Sequence, residues 1–163
     1  MNPFTQEELE QIDKKRQSND NLEEYFKEKQ TEWSKKANEI FDTLKGSMTP
    51  AEFKNVVNSQ AYALSYRQII NEEISFFLGK LSKEDVVLKK VKQNKFLFYA
   101  TGFSLKTSMG EKAVLIDAHT AEYERTKDII SKHIDFLRET IKSLESFQYS
   151  IKNLVSLYEY LGK

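Results

Sequence analysis

Counting from Tyr123 in steps of four and three residues gives Tyr123, Lys127, Ile130, Ile134, Leu137, Ile141, Leu144, Gln148, Ile151, Val155 and Tyr158, and nine of these eleven positions are apolar or aromatic. No Gly or Pro interrupts the chain from Glu111 to Leu161. A 3.5-residue apolar repeat sustained in this way is the seam of a left-handed coiled coil. The spacing predicts one helix over about residues 118–161. At ~1.5 Å per residue, a helix of about 40 residues is roughly 60 Å long. A globular domain of this chain length measures only about 30–35 Å across. Such a seam needs a long partner helix, either residues 50–78 of the same chain or another copy, and the two uses are compatible. Ile130, Ile134, Leu137, Ile141, Leu144, Ile151, Val155 and Tyr158 are the residues expected to carry assembly into a homo-oligomer.

The rest of the chain also reads as helix. Thr5 and Glu8 have capping-box spacing, with Phe4 and Leu9 at the staple positions, so a first helix is expected to run to about Gln17 and stop at Ser18-Asn19-Asp20-Asn21. Asn21 and Glu24 open a second helix carrying Leu22, Phe26, Trp33, Ala37, Ile40 and Leu44, ending at Lys45-Gly46. Thr49-Pro50-Ala51-Glu52, with Met48 and Phe53 at staple positions, starts a third, whose apolar period runs through Val56, Val57, Leu64, Ile70, Ile74, Phe77 and Leu78 to Gly79. Ser82-Lys83-Glu84-Asp85 opens a fourth, to about Tyr99, and residues 96–109 stay open between helix, strand and loop. Five Gly and two Pro in 163 residues are too few for a turn-rich β-fold or a Gly-rich nucleotide fold. The expectation is an all-α, elongated helical bundle: an acidic arm over residues 1–48, then a helical domain over 49–163.

Charge is balanced overall, at 25 basic against 25 acidic side chains, and unevenly placed. Residues 1–50 sum to −3, whereas residues 80–112 hold eight lysines against three acids, a sum of +5. Phe96, Phe98, Tyr99 and Phe103 stand among those lysines. On a helical wheel Val87, Val91, Asn94 and Phe98 share a face, with Lys89 and Lys92 opposite and Lys90 and Lys95 flanking. A solvated lysine face accounts for this as it stands. The sharper reading is a phosphate-tracking strip beside stacking rings, which is what single-stranded nucleic acid requires. The candidate contacts are Lys89, Lys90, Lys92, Lys95, Tyr99 and Lys106. No Arg occurs between Arg67 and Arg125, so binding should be tolerant of sequence.

No catalytic constellation stands out. The chain has no Cys, its two histidines (His119 and His133) are 14 residues apart, and it carries neither a Gly-rich phosphate loop nor a nucleophile elbow. Neither an enzyme nor a cofactor or metal site is expected. Glu23-Glu24 and Glu72-Glu73 read as surface charge, and the histidines as packing or surface residues. The start shows no signal-peptide pattern and no apolar run is long enough to span a bilayer, so a cytoplasmic location is the expectation.

From Lys112-Ala113-Val114-Leu115-Ile116-Asp117, through the long helix, to Ser146-Phe147-Gln148-Tyr149-Ser150-Ile151-Lys152-Asn153-Leu154 and the closing Tyr160-Leu161-Gly162-Lys163, the sequence resembles the T-even-type phage recombination mediator proteins (UvsY-like). Lys95 to Tyr99-Ala100-Thr101-Gly102 resembles the family's basic residues followed by Tyr-Tyr-x-Gly, with Lys92 and Lys95 about one residue out of step. The likeness covers about residues 60–163 and rests on order and spacing, since each short motif is made of common residues. It implies a small helical protein that closes into a homo-oligomeric ring, a hexamer or heptamer, through its C-terminal helices. It further implies single-stranded DNA as ligand, with a phage recombinase and a single-strand-binding protein as partners in the host cytoplasm. The acidic arm is longer than the family pattern; shielding the basic strip, lengthening the bundle and binding a partner are its candidate roles.

Overall fold

The computed structural model describes residues 4–45, 50–102 and 108–161, without the side chains of residues 50–53, 102, 158 and 161. It comprises α1 (Gln6–Asp42), α2 (Pro50–Leu97) ending in a π-helical turn (Phe98–Gly102), and α3 (Met109–Leu161), and the described residues include no strand. The chain is all-α. Thr5 caps α1 as expected: the Glu8 amide donates to Thr5 Oγ1 at 3.2 Å and the Thr5 amide to Glu8 Oε2 at 2.9 Å. A second capping box was missed. The Glu111 amide donates to Ser108 Oγ at 3.3 Å and the Ser108 amide to Glu111 Oε2 at 2.7 Å, so α3 begins about two and a half turns ahead of the expected start. The Ser-x-x-Glu spacing was there to be read. Gly46, Met48, Thr49, Phe103 and Gly162-Lys163 lie outside the described residues.

Two expected breaks do not exist. Helix α1 runs through Ser18-Asn19-Asp20-Asn21 because Asn19 is buried and fully employed. Its amide donates to the Glu122 carbonyl at 2.8 Å and the Glu122 carboxylate at 3.0 Å, and its oxygen accepts from Thr126 Oγ1 at 2.7 Å. Tertiary hydrogen bonds here outweigh the turn preference of an Asn/Asp cluster. Helix α2 likewise passes Gly79, where an added Cβ would meet nothing within 4 Å. The glycine costs about 1 kcal/mol in propensity, which burial of Ile74 and Phe77 just ahead of it offsets.

The chain divides into two compact units. In the first, Met1–Phe26 with Phe77–Lys132, α1 runs antiparallel to α2, and much of the joinery is polar. Lys15 pairs with Glu84 at 3.1 Å, Arg16 with Glu122 at 3.3 Å, Arg125 with Asp20 at 2.7 Å, and Lys127 with Asp85 at 2.6 Å. Its apolar centre holds Phe26 edge-on to Phe77 (centroids 5.0 Å), with Leu88, Ile129 and Ile130 buried as well.

The second unit, Lys27–Phe76 with His133–Lys163, has the more apolar interior. Trp33, Ala37 and Ile40 of α1, Val56, Ala63, Ile70 and Ile74 of α2, and Ile134, Leu137, Leu144, Phe147 and Ile151 of α3 are buried. Phe41 meets Phe147 edge-on, at 5.8 Å between centroids. Buried positions on α3 recur in steps of three and four residues, as its sequence predicts, and most of the seam is covered by the chain's own helices. Ile141 and Val155 are half-buried, and the side chain of Tyr158 lies outside the described set. Val57, Leu64 and Leu78, grouped by sequence with the inward residues of α2, are exposed.

Candidate nucleic-acid interface

The inward register of α2 in the first unit runs Phe77, Leu81, Leu88, Val91, Lys95 and Tyr99, each buried or half-buried. The face that Val87, Val91, Asn94 and Phe98 share on the wheel is therefore not the inward one, since Val87, Asn94 and Phe98 are exposed. On an ideal wheel the two faces are centred about 80° apart. Lys95 and Tyr99 are turned inward by Glu8 and His119, partners that lie outside the segment on which the wheel is drawn.

This rotation sorts the candidate contacts. Lys89 Nζ pairs with Asp85 of the preceding turn at 2.7 Å and stays 71% exposed. Asp85 is shared with Lys127, and hydrogen bonds from Lys127 and Lys89 hold its carboxyl down at about 2. Lys92 reaches Glu124 on α3 at 2.6 Å. Lys95 is ion-paired with Glu8 of α1, the two side chains being only 18% and 27% exposed. Lys90 is exposed and has no ion pair among the described residues. Lys106 lies outside them.

Tyr99 is placed where it cannot stack on a base. It is 2% exposed, and its Oη is hydrogen-bonded to His119 Nε2 at 2.8 Å. Burial, with the Glu8 charge nearby, pushes its hydroxyl above the usual tyrosine range. Among the described residues of this segment the exposed rings are those of Phe96 and Phe98, at the junction of α2 with the π-helical turn.

One surface meets the physical need. Lys83, Val87, Lys90, Asn94 and Leu97 follow one another at steps of four and three, and all five are exposed. They form an outward stripe with two ammonium groups, neither in an ion pair among the described residues, and two apolar side chains, with Phe98 beside Leu97 in sequence. Lys83 belongs to the eight-lysine segment and stands outside the candidate contacts named from the sequence.

Of the four paired acids, Glu73 needs correction, while Glu24 and Glu72 are exposed. Glu73 was read as surface charge; its carboxylate is largely buried, accepts the Trp33 indole N–H at 3.0 Å and lies 3.6 Å from His133 Nε2. Glu23 stands 3.2 Å from Arg125. Among the described residues no group of three or more His, Asp or Glu side chains is placed to hold a metal ion, and no helix is long and apolar enough to cross a membrane. Compared with family models, curated proteins and solved structures, the chain matches none.

Proposed function

We propose that this chain is a non-enzymatic recombination mediator that binds single-stranded DNA without sequence preference and promotes assembly of a recombinase filament. The observation that carries the DNA-binding reading is the outward stripe on α2, where Lys83 and Lys90 alternate with Val87 and Leu97 next to the exposed Phe98. Lysines neutralise phosphates without reading bases, and exposed rings stack on any base. Lys89 and Lys92 add to the stripe at low cost. The Lys92–Glu124 pair is 41% and 46% exposed, and exposed pairs of this kind contribute about 0.2–1 kcal/mol. A strand phosphate replaces such a carboxylate readily.

The recombination context comes from the ordered likeness of residues 60–163 to UvsY-like mediators. With it come a recombinase and a single-strand-binding protein as partners, a homo-oligomeric ring, and the host cytoplasm as the place of action. Assembly multiplies a weak strip into a firm grip. Because the α3 seam packs within the chain, self-association is assigned to an exposed ridge: Tyr62, Ile69 and Phe76 recur every seven residues along α2 in the second unit and are all exposed.

That same ridge favours a second reading, a helical adaptor whose lysines only solubilise it. Titration of labelled oligo-dT separates the two, since an adaptor ignores the oligonucleotide even at low salt.

A further inference from the structure

The first turn of α1 performs two tasks with one carboxylate. Glu8 closes the capping box with Thr5, accepting the Thr5 amide at 2.9 Å, and the same side chain is ion-paired with Lys95 of α2. One turn earlier, the Phe4 ring lies against His119 at 4.1 Å between centroids, and His119 is hydrogen-bonded to the buried Tyr99. Glu8 and Ile12 of α1, Val91 and Lys95 of α2, and His119 and Tyr123 of α3 line a cavity of about 180 Å³ at this place. Burial by itself would raise the Glu8 carboxyl; its hydrogen bonds to Lys95 and the Thr5 amide outweigh that and hold it below the usual range.

We infer that the start of α1 is an autoinhibitory latch: Glu8 occupies Lys95 and Phe4 covers the His119–Tyr99 pair, so that a phosphate of the bound strand must displace Glu8 to recruit Lys95. The inference rests on the DNA-binding reading and adds regulation to it. It gives the acidic leader a function, the intramolecular mimicry of the polyanion. It also explains why a lysine that the sequence offers as a contact is half-buried, whereas Lys89 one and a half turns earlier is largely exposed.

Glu8→Gln separates the two tasks. Glutamine serves at this position of a capping box as glutamate does, so α1 keeps its start and only the charge facing Lys95 is lost. Oligo-dT titrations of the full-length protein should show Glu8→Gln binding roughly 5–10 times more tightly, with one further phosphate neutralised. The log–log salt slope should steepen by about 0.7 for that phosphate. Adding Lys95→Gln to Glu8→Gln should abolish the gain; a gain that survives without the Lys95 ammonium comes from the lost acidic charge alone and overturns the latch. Unchanged helicity by circular dichroism is expected throughout. If the parent protein binds and Glu8→Gln binds equally well with the same slope, the latch is overturned while the DNA-binding reading stands. If neither protein binds oligo-dT at low salt, the DNA-binding reading fails and the latch with it.

Discussion

The indole Nε1–H of Trp33 donates to Glu73 Oε2 at 3.0 Å, which ties the chain's one tryptophan on α1 to a carboxylate on α2. His133 of α3 stands 3.6 Å from the other carboxylate oxygen, so each helix contributes one polar group to this layer of the second unit. Glu73→Ala leaves a buried N–H without an acceptor, which costs about 1–3 kcal/mol. Glu73→Gln should cost less, because an amide oxygen still accepts. Urea denaturation followed by Trp33 fluorescence measures both; equal losses for the two variants would contradict this account.

Acid should unfold the protein in two stages. Burial lowers the His133 imidazole below its ordinary value of 6.5, against the pull of the Glu73 carboxylate. His119 is lowered chiefly by burial and also by the Lys95 charge, with Glu8 opposing. A base whose affinity for protons is lower in the folded state gives stability that is complete above 6.5 and is lost as pH falls toward the folded value. The second stage is the smaller, because it involves solvent-screened surface carboxylates: Glu32, lowered from 4.5 to about 2 by hydrogen bonds from Lys36 and Lys29, and Asp85, lowered from 3.8 to about 2 by those from Lys127 and Lys89. Their stabilisation is present above the ordinary carboxylate values and is lost as pH falls toward about 2. His133→Gln should flatten the first stage and leave the second. A denaturation midpoint that rises between pH 7 and pH 5 contradicts the assignment.

Much of this fold was legible in the residues, and the misses share a cause. The α3 repeat, the Thr5–Glu8 cap and the inward run of Phe26, Trp33, Ala37 and Ile40 are local patterns that packing reinforces. Asn19 was misread because its hydrogen bonds come from residues more than a hundred positions away. Lys95 and Tyr99 face inward because their partners Glu8 and His119 stand on other helices, which a wheel drawn on one segment does not contain. Glu73 beside Glu72 looked like solvent-facing charge, and only the tertiary partners Trp33 and His133 distinguish the two. The stripe that remains as the candidate site was partly visible: Lys90 was identified, and Lys83 was not.

Self-association through α2 is tested at Ile69, which is 46% exposed at the centre of the Tyr62–Ile69–Phe76 ridge. Ile69→Asp puts a charge into any contact made there and removes nothing from the chain's own interior. Light scattering should show the parent protein as an oligomer and the variant shifted to smaller species at equal helicity. An unchanged oligomer would move assembly to another surface.

Lys83→Ala combined with Lys90→Ala removes the two exposed ammonium groups of the stripe that make no ion pair, and disturbs no ion pair among the described residues. Affinity for oligo-dT should fall by roughly tenfold and the magnitude of the salt slope by about 1.4, at ~0.7 per phosphate on single strands. Retained affinity in this variant would take the stripe out of the site.

The most direct measurement is the affinity of the intact protein for labelled oligo-dT as a function of salt. Contacts from Lys83, Lys89, Lys90 and Lys92 predict a log–log slope near −3 per engaged chain, at ~0.7 for each neutralised phosphate, with no preference among sequences. Failure to bind at low salt, or binding whose strength does not change with salt, would contradict the account.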